Sequence, residues 1–525
     1  MSERSDSSQP VSAQPGQGNQ GGGRRTAILA AVSVAVVAVL GGGAWAAGYL
    51  LGGHGPQPED VLPAATVAEL SVDMDPSATQ KVEALRTLRK FPALRQKLDL
   101  GADDDLRKWV YDQAVKDTAC SRVDFATDVE PWLGNRAAVA AVDLAGKTPA
   151  PAVALQVSDA QQAKAGIQRL VDCGHPKDFG YAFADGYVVF SDSGDHARTI
   201  VTAGKAASLA DDPGYTRWTG AVGDRGVLSF YVAKRAGRLI VDNLHQLTGE
   251  QVSATQTDAL ARQADKFEGL AGTVRFAGGG VELAAVGGTS SPAGGSGGVG
   301  GAVGRLPGDT ALAVSQTVPD DLASRLVQQL SSVSGEPAGR LTAEVETMTG
   351  LRLPQDLQTL LGRTITVSLG GDAPDLGAVR GPADIPVAAT VSGDTGRIEG
   401  VIGKLEERQG VTLDQLGVVE EARDGRVALA TSRSYADSVL APGDLGRTQA
   451  FREVVPEADR AASVAYVDFD STWVPALIRL AGDSGAVSAD QLGKARANLA
   501  PLRAFGASSW RDGDTTHLLV KLTTD

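Results

Sequence analysis

Two cysteines, three methionines and five histidines are the only soft or imidazole side chains among 525 residues. That scarcity excludes a disulfide-dense scaffold and any multi-cysteine zinc or iron–sulfur site. His54, His175, His196, His245 and His517 are scattered, and no two flank a Glu at helical spacing, so the zinc-protease motif is absent. Positive charge is also short. Lys and Arg number 49 against 63 Asp and Glu, for a net charge of -14 and a pI near 5.0. A general nucleic-acid binder needs a basic footprint, so that class is excluded. Glycine is plentiful at 64, and 42% of the residues are hydrophobic. At roughly 150 residues per domain, the chain has material for about three domains and more than one core.

Long apolar runs are missing as well, with one exception. Residues 1–25 are Ser, Gln, Gly and Pro with a few charges, a composition too polar to fold, and they read as a disordered tail. From Thr26 to Leu51 there are 26 residues without a charge. About 20 apolar residues cross a bilayer, so residues 26–51 read as a single transmembrane helix. Arg24 and Arg25 flank one end, and Trp45 and Tyr49 lie towards the other. By the positive-inside rule the tail is cytoplasmic, and residues from about 52 onward lie outside the cell membrane. Cleavage at Ala44-Trp45-Ala46 is the alternative, and it exports the same residues.

Beyond a short stalk, 52–59, the chain repeats itself. Val61-Leu62-Pro63-Ala64-Ala65-Thr66 matches Arg305-Leu306-Pro307-Gly308-Asp309-Thr310. Trp132-Leu133-Gly134-Asn135-Arg136 matches Leu360-Leu361-Gly362-Arg363, and Asp185-Gly186 matches Asp424-Gly425. Further pairs follow in the same order, at offsets between 228 and 244 residues. Copy one is therefore placed at 60–288 and copy two at 305–525, joined by a flexible Gly/Ser-rich linker at 287–304. Within copy one, Asp75-Pro76 starts a helix through Val82, Leu85, Leu88, Leu94 and Leu98, kinked at Pro92. Asp103–Thr118 is a second helix. Strands fall at about 136–144 and 152–158. GYAFADGYVVFSD is a hairpin turning at Asp185-Gly186, and the last strands span 226–232 and 273–286. The class is α+β: two tandem homologous copies with largely antiparallel sheets and packed helices, after a single transmembrane helix.

Cys120 and Cys173 both lie in copy one, and copy two lacks both. In an oxidising compartment that joint absence points to a disulfide. Other chemistry is thin. Gly294-Gly295-Ser296-Gly297-Gly298 spells a nucleophile-elbow pattern but sits in the linker. Ala141–Thr148 approaches a phosphate loop but lacks its first Gly. The acids at Asp73/Asp75, Asp103-Asp104-Asp105, Asp192/Asp195, Asp211-Asp212, Asp468/Asp470 and Asp512/Asp514 match no calcium loop and read as caps or solvated faces. No catalytic, cofactor-binding or metal residue is assigned.

The stretch LPAATVAELSVDMDPSATQKVEALRTLRKFP behind a membrane helix resembles an actinobacterial, membrane-anchored family of uncharacterised proteins, domain of unknown function 3352. The resemblance is strongest over residues 60–145. It implies an exported, anchored protein and carries no activity or site residues. The leading expectation is a non-enzymatic binding or interaction module of the cell envelope, held to the lipid bilayer by its helix, with an envelope protein or ligand as partner. Two alternatives are an extracytoplasmic carboxylate-dependent hydrolase and a short-tailed transmembrane signalling regulator.

Overall fold

The computed structural model describes residues 56–74, 78–92, 107–108, 111, 123–146, 148–174, 179–243, 254–289, 298–485 and 487–525. The apolar run 26–51, with Arg24, Arg25, Trp45 and Tyr49, lies outside these residues, as do Asp75, Asp103-Asp104-Asp105, Leu94, Leu98 and Cys120. Among the described residues no helix is long and apolar enough to cross a membrane.

Copy one contributes β1 (Thr66–Asp73), β2 (Leu133–Val142), β3 (Ala150–Val157), β4 (Gly180–Ala184), β5 (Tyr187–Ser191), β6 (Leu228–Val232), β7 (Phe267–Ala277) and β8 (Gly280–Thr289). Copy two contributes β9 (Leu312–Thr317), β10 (Thr364–Leu369), β11 (Val387–Ser392), β12 (Val419–Arg423), β13 (Arg426–Ala430), β14 (Ser463–Asp468), β15 (Leu502–Asp512) and β16 (Thr515–Thr524). The helices of copy one are α1 (Pro58–Val61), α2 (Ala78–Leu88), α3 (Ala160–Gly174), α4 (Gly194–Ala206), α5 (Pro213–Val222), α6 (Ala236–Asp242) and α7 (Ala254–Ala264). Those of copy two are α8 (Gly300–Val303), α9 (Leu322–Ser334), α10 (Ala338–Thr349), α11 (Gln355–Leu361), α12 (Thr395–Gln409), α13 (Arg433–Leu440), α14 (Gln449–Val454), α15 (Trp473–Asp483) and α16 (Ala489–Leu499).

The repeat is written into the strand order. One 16-stranded sheet runs β12-β13-β11-β10-β9-β14-β15-β16-β8-β7-β6-β1-β2-β3-β5-β4. Adding eight to each strand number of copy one reproduces copy two in mirror sequence about the β8–β16 seam. All neighbours are antiparallel, which the hairpin connections allow. The expectation of separate sheets joined by a flexible linker is corrected here. β8 and β16 pair from Gly280↔Thr523 to Gly288↔Thr515, so main-chain hydrogen bonds fuse the copies. Opposite charges meet on the seam, where Glu282 is held between Arg275 and Lys521. The linker bounds change accordingly. Gly287–Thr289 belong to β8, Val299 and Val303 are fully buried, and only 290–297 fall outside the described residues. The stalk is shorter as well, since Pro58 and Glu59 already lie buried in α1.

Local signals explain most elements. Ser193 and Ser432 accept from His196 N and Tyr435 N and start α4 and α13. Asp212, followed by Pro213, caps α5 through Tyr215 N, and Thr448 caps α14 through Phe451 N. Asp185-Gly186 and Asp424-Gly425 turn the hairpins with Gly φ of 73° and 72°. The α2 helix ends at Leu88, and the remainder of the run expected beyond Pro92, with Leu94 and Leu98, lies outside the described residues. Neither β1 nor β9 was expected. Glu69 interrupts the apolar alternation of β1, and Ser315 and Thr317 blur that of β9.

Helices cover both faces of the sheet. The first face carries the main core of each copy. Trp218, Tyr187, Ile200 and Leu62 fill one, and Phe451, Tyr466, Leu440 and Leu306 fill the other. On the second face, α3 buries Ala163 and Ile167 with Val188, and α12 buries Ile398 and Ile402 with Val427. There α2 lays Ala84 and Leu88 on Phe276 and Val281.

Candidate functional sites

Two places depart from what the repeat requires. The first is a buried acid pair in copy one. Glu69 sits mid-strand on β1, between Ala140 of β2 and Tyr231 of β6, on the first face. It is 4% exposed, and so is Glu59 on α1. Arg225, just before β6, pairs with Glu59, donates to the Tyr215 hydroxyl at 3.1 Å and to Gln57 Oε1 at 3.3 Å. One oxygen of each carboxylate, Glu59 Oε2 and Glu69 Oε1, is buried without a hydrogen-bond partner. Burial pushes the Glu69 carboxyl up to about 8, the Glu59 carboxylate adds to this, and Arg225 and Ser71 oppose it. Burial likewise raises the Tyr215 phenol, with both carboxylates contributing. A narrow cleft of about 20 Å³, room for about one water, lies alongside, lined by Gln57, Ser71, Asp73, Arg136, Arg225 and Ser229.

Copy two shows that the fold does not need this network. Ala313 occupies the Glu69 position, opposite Tyr466 where Glu69 faces Tyr231. Phe451 replaces Tyr215 with the same edge contact, 5.2 Å to Tyr466 against 5.0 Å from Tyr215 to Tyr231. The short helix there, Gly-Gly-Ala-Val, has no carboxylate. Arg460, opposite Arg225, lies over the Trp510 ring instead.

The second place is an open apolar strip on the second face. Side chains directly opposite one another form the row Val72, Leu228, Val274, Leu283, Val520, Ala507, Ala465, Val314, Val367, Ala389 and Leu429. Val314 is 48% exposed and its neighbour Val367 39%; Leu518, three strands from Val314 on β16, is also 39% exposed. Large apolar side chains in the middle of a sheet are normally roofed. Where α2 meets the sheet through Ala84, Leu88, Phe276 and Val281, the corresponding residues of copy two are Gln328, Ser332, Arg511 and Thr516. Helix α9 buries Ala323 and Val327 and packs on α10 and α11.

Among the described residues, those singled out from sequence do not gather into one site. Cys173 lies at the end of α3 and is not a free thiol, while Cys120 is outside the described residues. Asp73 pairs with Arg136, Asp192 bonds His196, Asp195 pairs with Arg198, and Asp211 accepts from Ser208. Asp514 pairs with Arg217 across the seam. Among the described residues no three His, Cys, Asp or Glu side chains gather as for a metal. Asp143 closes a turn after β2 by accepting from Ala145 N. Glu59, Glu69, Arg225 and Tyr215 carry no motif and were not expected from the sequence. Setting the copies in register at Leu62 and Leu306 exposes the signal, because Glu69 then falls opposite an alanine.

The family described as "Protein of unknown function (DUF3352)" matches residues 27–181 and 166–362. The chain belongs to this family. No curated protein matches it. Among solved structures, one titled "Structure of crystal form III of TP0453" is similar at 7% identity and a TM-score of 0.22. The match covers 46% of this chain and 82% of that one.

Proposed function

We propose that this DUF3352 protein is a non-enzymatic interaction module of the cell envelope, tethered by residues 26–51, with Cys120 and Cys173 joined as a disulfide. The open strip at Val314 and Val367 carries the reading, since exposing two such neighbouring side chains in mid-sheet serves docking and not folding. The partner that fits is an amphipathic helix, the kind of element that α2 supplies on the same face of copy one. Against a hydrolase, described acids such as Asp73, Asp192, Asp195 and Asp514 are tied to local partners, and the buried pair Glu59 and Glu69 is the arrangement that speaks for one.

A photo-crosslinking residue placed at 314 or 367 in the full-length chain, in cells, tests this. The expected result is one protein adduct shared by both positions and missing from position 411, where Val411 is equally exposed off the strip. No adduct, or the same adduct from all three positions, sinks the proposal.

A further inference from the structure

Among the described residues the sheet has two free edges, β4 and β12, which are counterparts in the repeat. Free edges present unpaired main-chain groups and are usually guarded by charge. The β12 edge, Val-Glu-Glu-Ala-Arg, is guarded, with Glu421 paired to Arg433 and Arg423 to Asp437. The β4 strand, Gly-Tyr-Ala-Phe-Ala, carries no charged residue of its own; the charge near it is Lys164 of α3, 5.5 Å from the centre of the Phe183 ring. Phe179, next to it, is 36% exposed and continues an aromatic cluster with Tyr181 and Phe190 at 6.4 and 5.4 Å.

Register decides what this edge accepts. Ala184 and Tyr187 flank a two-residue turn, so they form a hydrogen-bonded pair. Alternation then turns the main-chain groups of Ala182 and Gly180 towards β5 and those of Tyr181 and Phe183 outward. A second β4, run antiparallel about a two-fold axis at Ala182, sets Tyr181 against Phe183 of its mate and the reverse. Every outward N–H and C=O of these residues then meets a partner, and aromatic side chains face each other across the join.

We propose that the protein forms a homodimer by antiparallel pairing of β4 with β4 of a second copy of this chain. The β8–β16 seam already joins two homologous halves by this geometry, and the dimer repeats it at the outer edge. The axis stands normal to the sheet. Pro56, where the described chain begins, contacts Gly186 and shares a cavity with Val201 and Lys205 of α4, so both copies enter from the same face. Two chains tethered in one membrane can therefore pair without crossing their tethers, and tethering raises their effective concentration.

Sedimentation velocity on the full-length chain in detergent tests the dimer, with twice 53.9 kDa of protein expected. Tyr181→Pro removes one outward N–H and no bond to β5, and it is expected to weaken the dimer at least tenfold. Ala182→Cys, on the two-fold, is expected to give a covalent dimer on mild oxidation in membranes, and Ala422→Cys on β12 is not. Should Tyr181→Pro fail to fold by circular dichroism, the cysteine pair decides alone. A monomer with no Ala182→Cys crosslink overturns the proposal. So does a dimer that ignores Tyr181→Pro, or an Ala182→Cys adduct with a different protein only.

Discussion

Glu69 lies directly opposite Tyr231 across the β1–β6 ladder, while the corresponding pair of copy two is Ala313 and Tyr466. The same backbone closes over a buried acid in one copy and over a methyl group in the other. The acid is therefore an addition to the fold.

Its protonation ties stability to pH. The Glu69 carboxyl titrates near 8 in the folded chain and near 4.5 unfolded, so the folded state holds the extra proton. Stability from this group is full below about pH 4.5, declines as pH rises towards 8, and is flat above it. Glu69→Gln removes that slope. Melting curves of the two proteins at intervals from pH 5 to 9 are expected to diverge in favour of the variant. The gap should reach a few kcal/mol at pH 9, because each tenfold difference in proton affinity between the folded and unfolded chains is worth about 1.4 kcal/mol. Parallel curves would show that Glu69 is ionised throughout.

Arg225→Ala strands Glu59, whose side chain is 5% exposed. Breaking a fully buried pair costs roughly 3–5 kcal/mol, and because the Arg225 side chain is 45% exposed the expected loss is nearer 2. Adding Glu59→Ala should restore part of it, so urea titrations of the two singles and the double will give a coupling energy. Strict additivity would show the pair to be energetically idle.

On the open strip, Val314→Asp and Val367→Asp bury nothing new. Each is expected to cost about 1 kcal/mol or less in thermal unfolding, the range of surface changes outside special sites. Fluorescence of a bound apolar dye on the native protein should fall in both variants. A collapse of stability instead would mean that the strip is covered in solution.

The proposed Cys120–Cys173 bond closes a loop of about 54 residues, which on the chain-entropy model stabilises the fold by roughly 4 kcal/mol. Thiol titration of the denatured, unreduced protein should find no free thiol, and a reductant should lower the melting temperature. Two titratable thiols would remove the bond from the account.

Sequence alone determined the repeat, the antiparallel α+β class and the hairpin turns. Each rests on short-range signals, such as Asp-Gly pairs, serine caps and apolar periods, that survive in both copies. The family match could likewise be read from residues 62–92. Tertiary structure decided the rest. That the halves share one sheet depends on β8 meeting β16 across more than 200 residues of chain, and no local pattern encodes that pairing. That Glu69 is buried depends on α1 and α5 closing over β1, although its own strand reads as polar at that point. That Val314 and Val367 stand open in mid-sheet depends on what packs above them, which the ordinary alternation of their own strands does not show. Burial and exposure are relations between distant segments, and a sequence read one window at a time holds only one side of each.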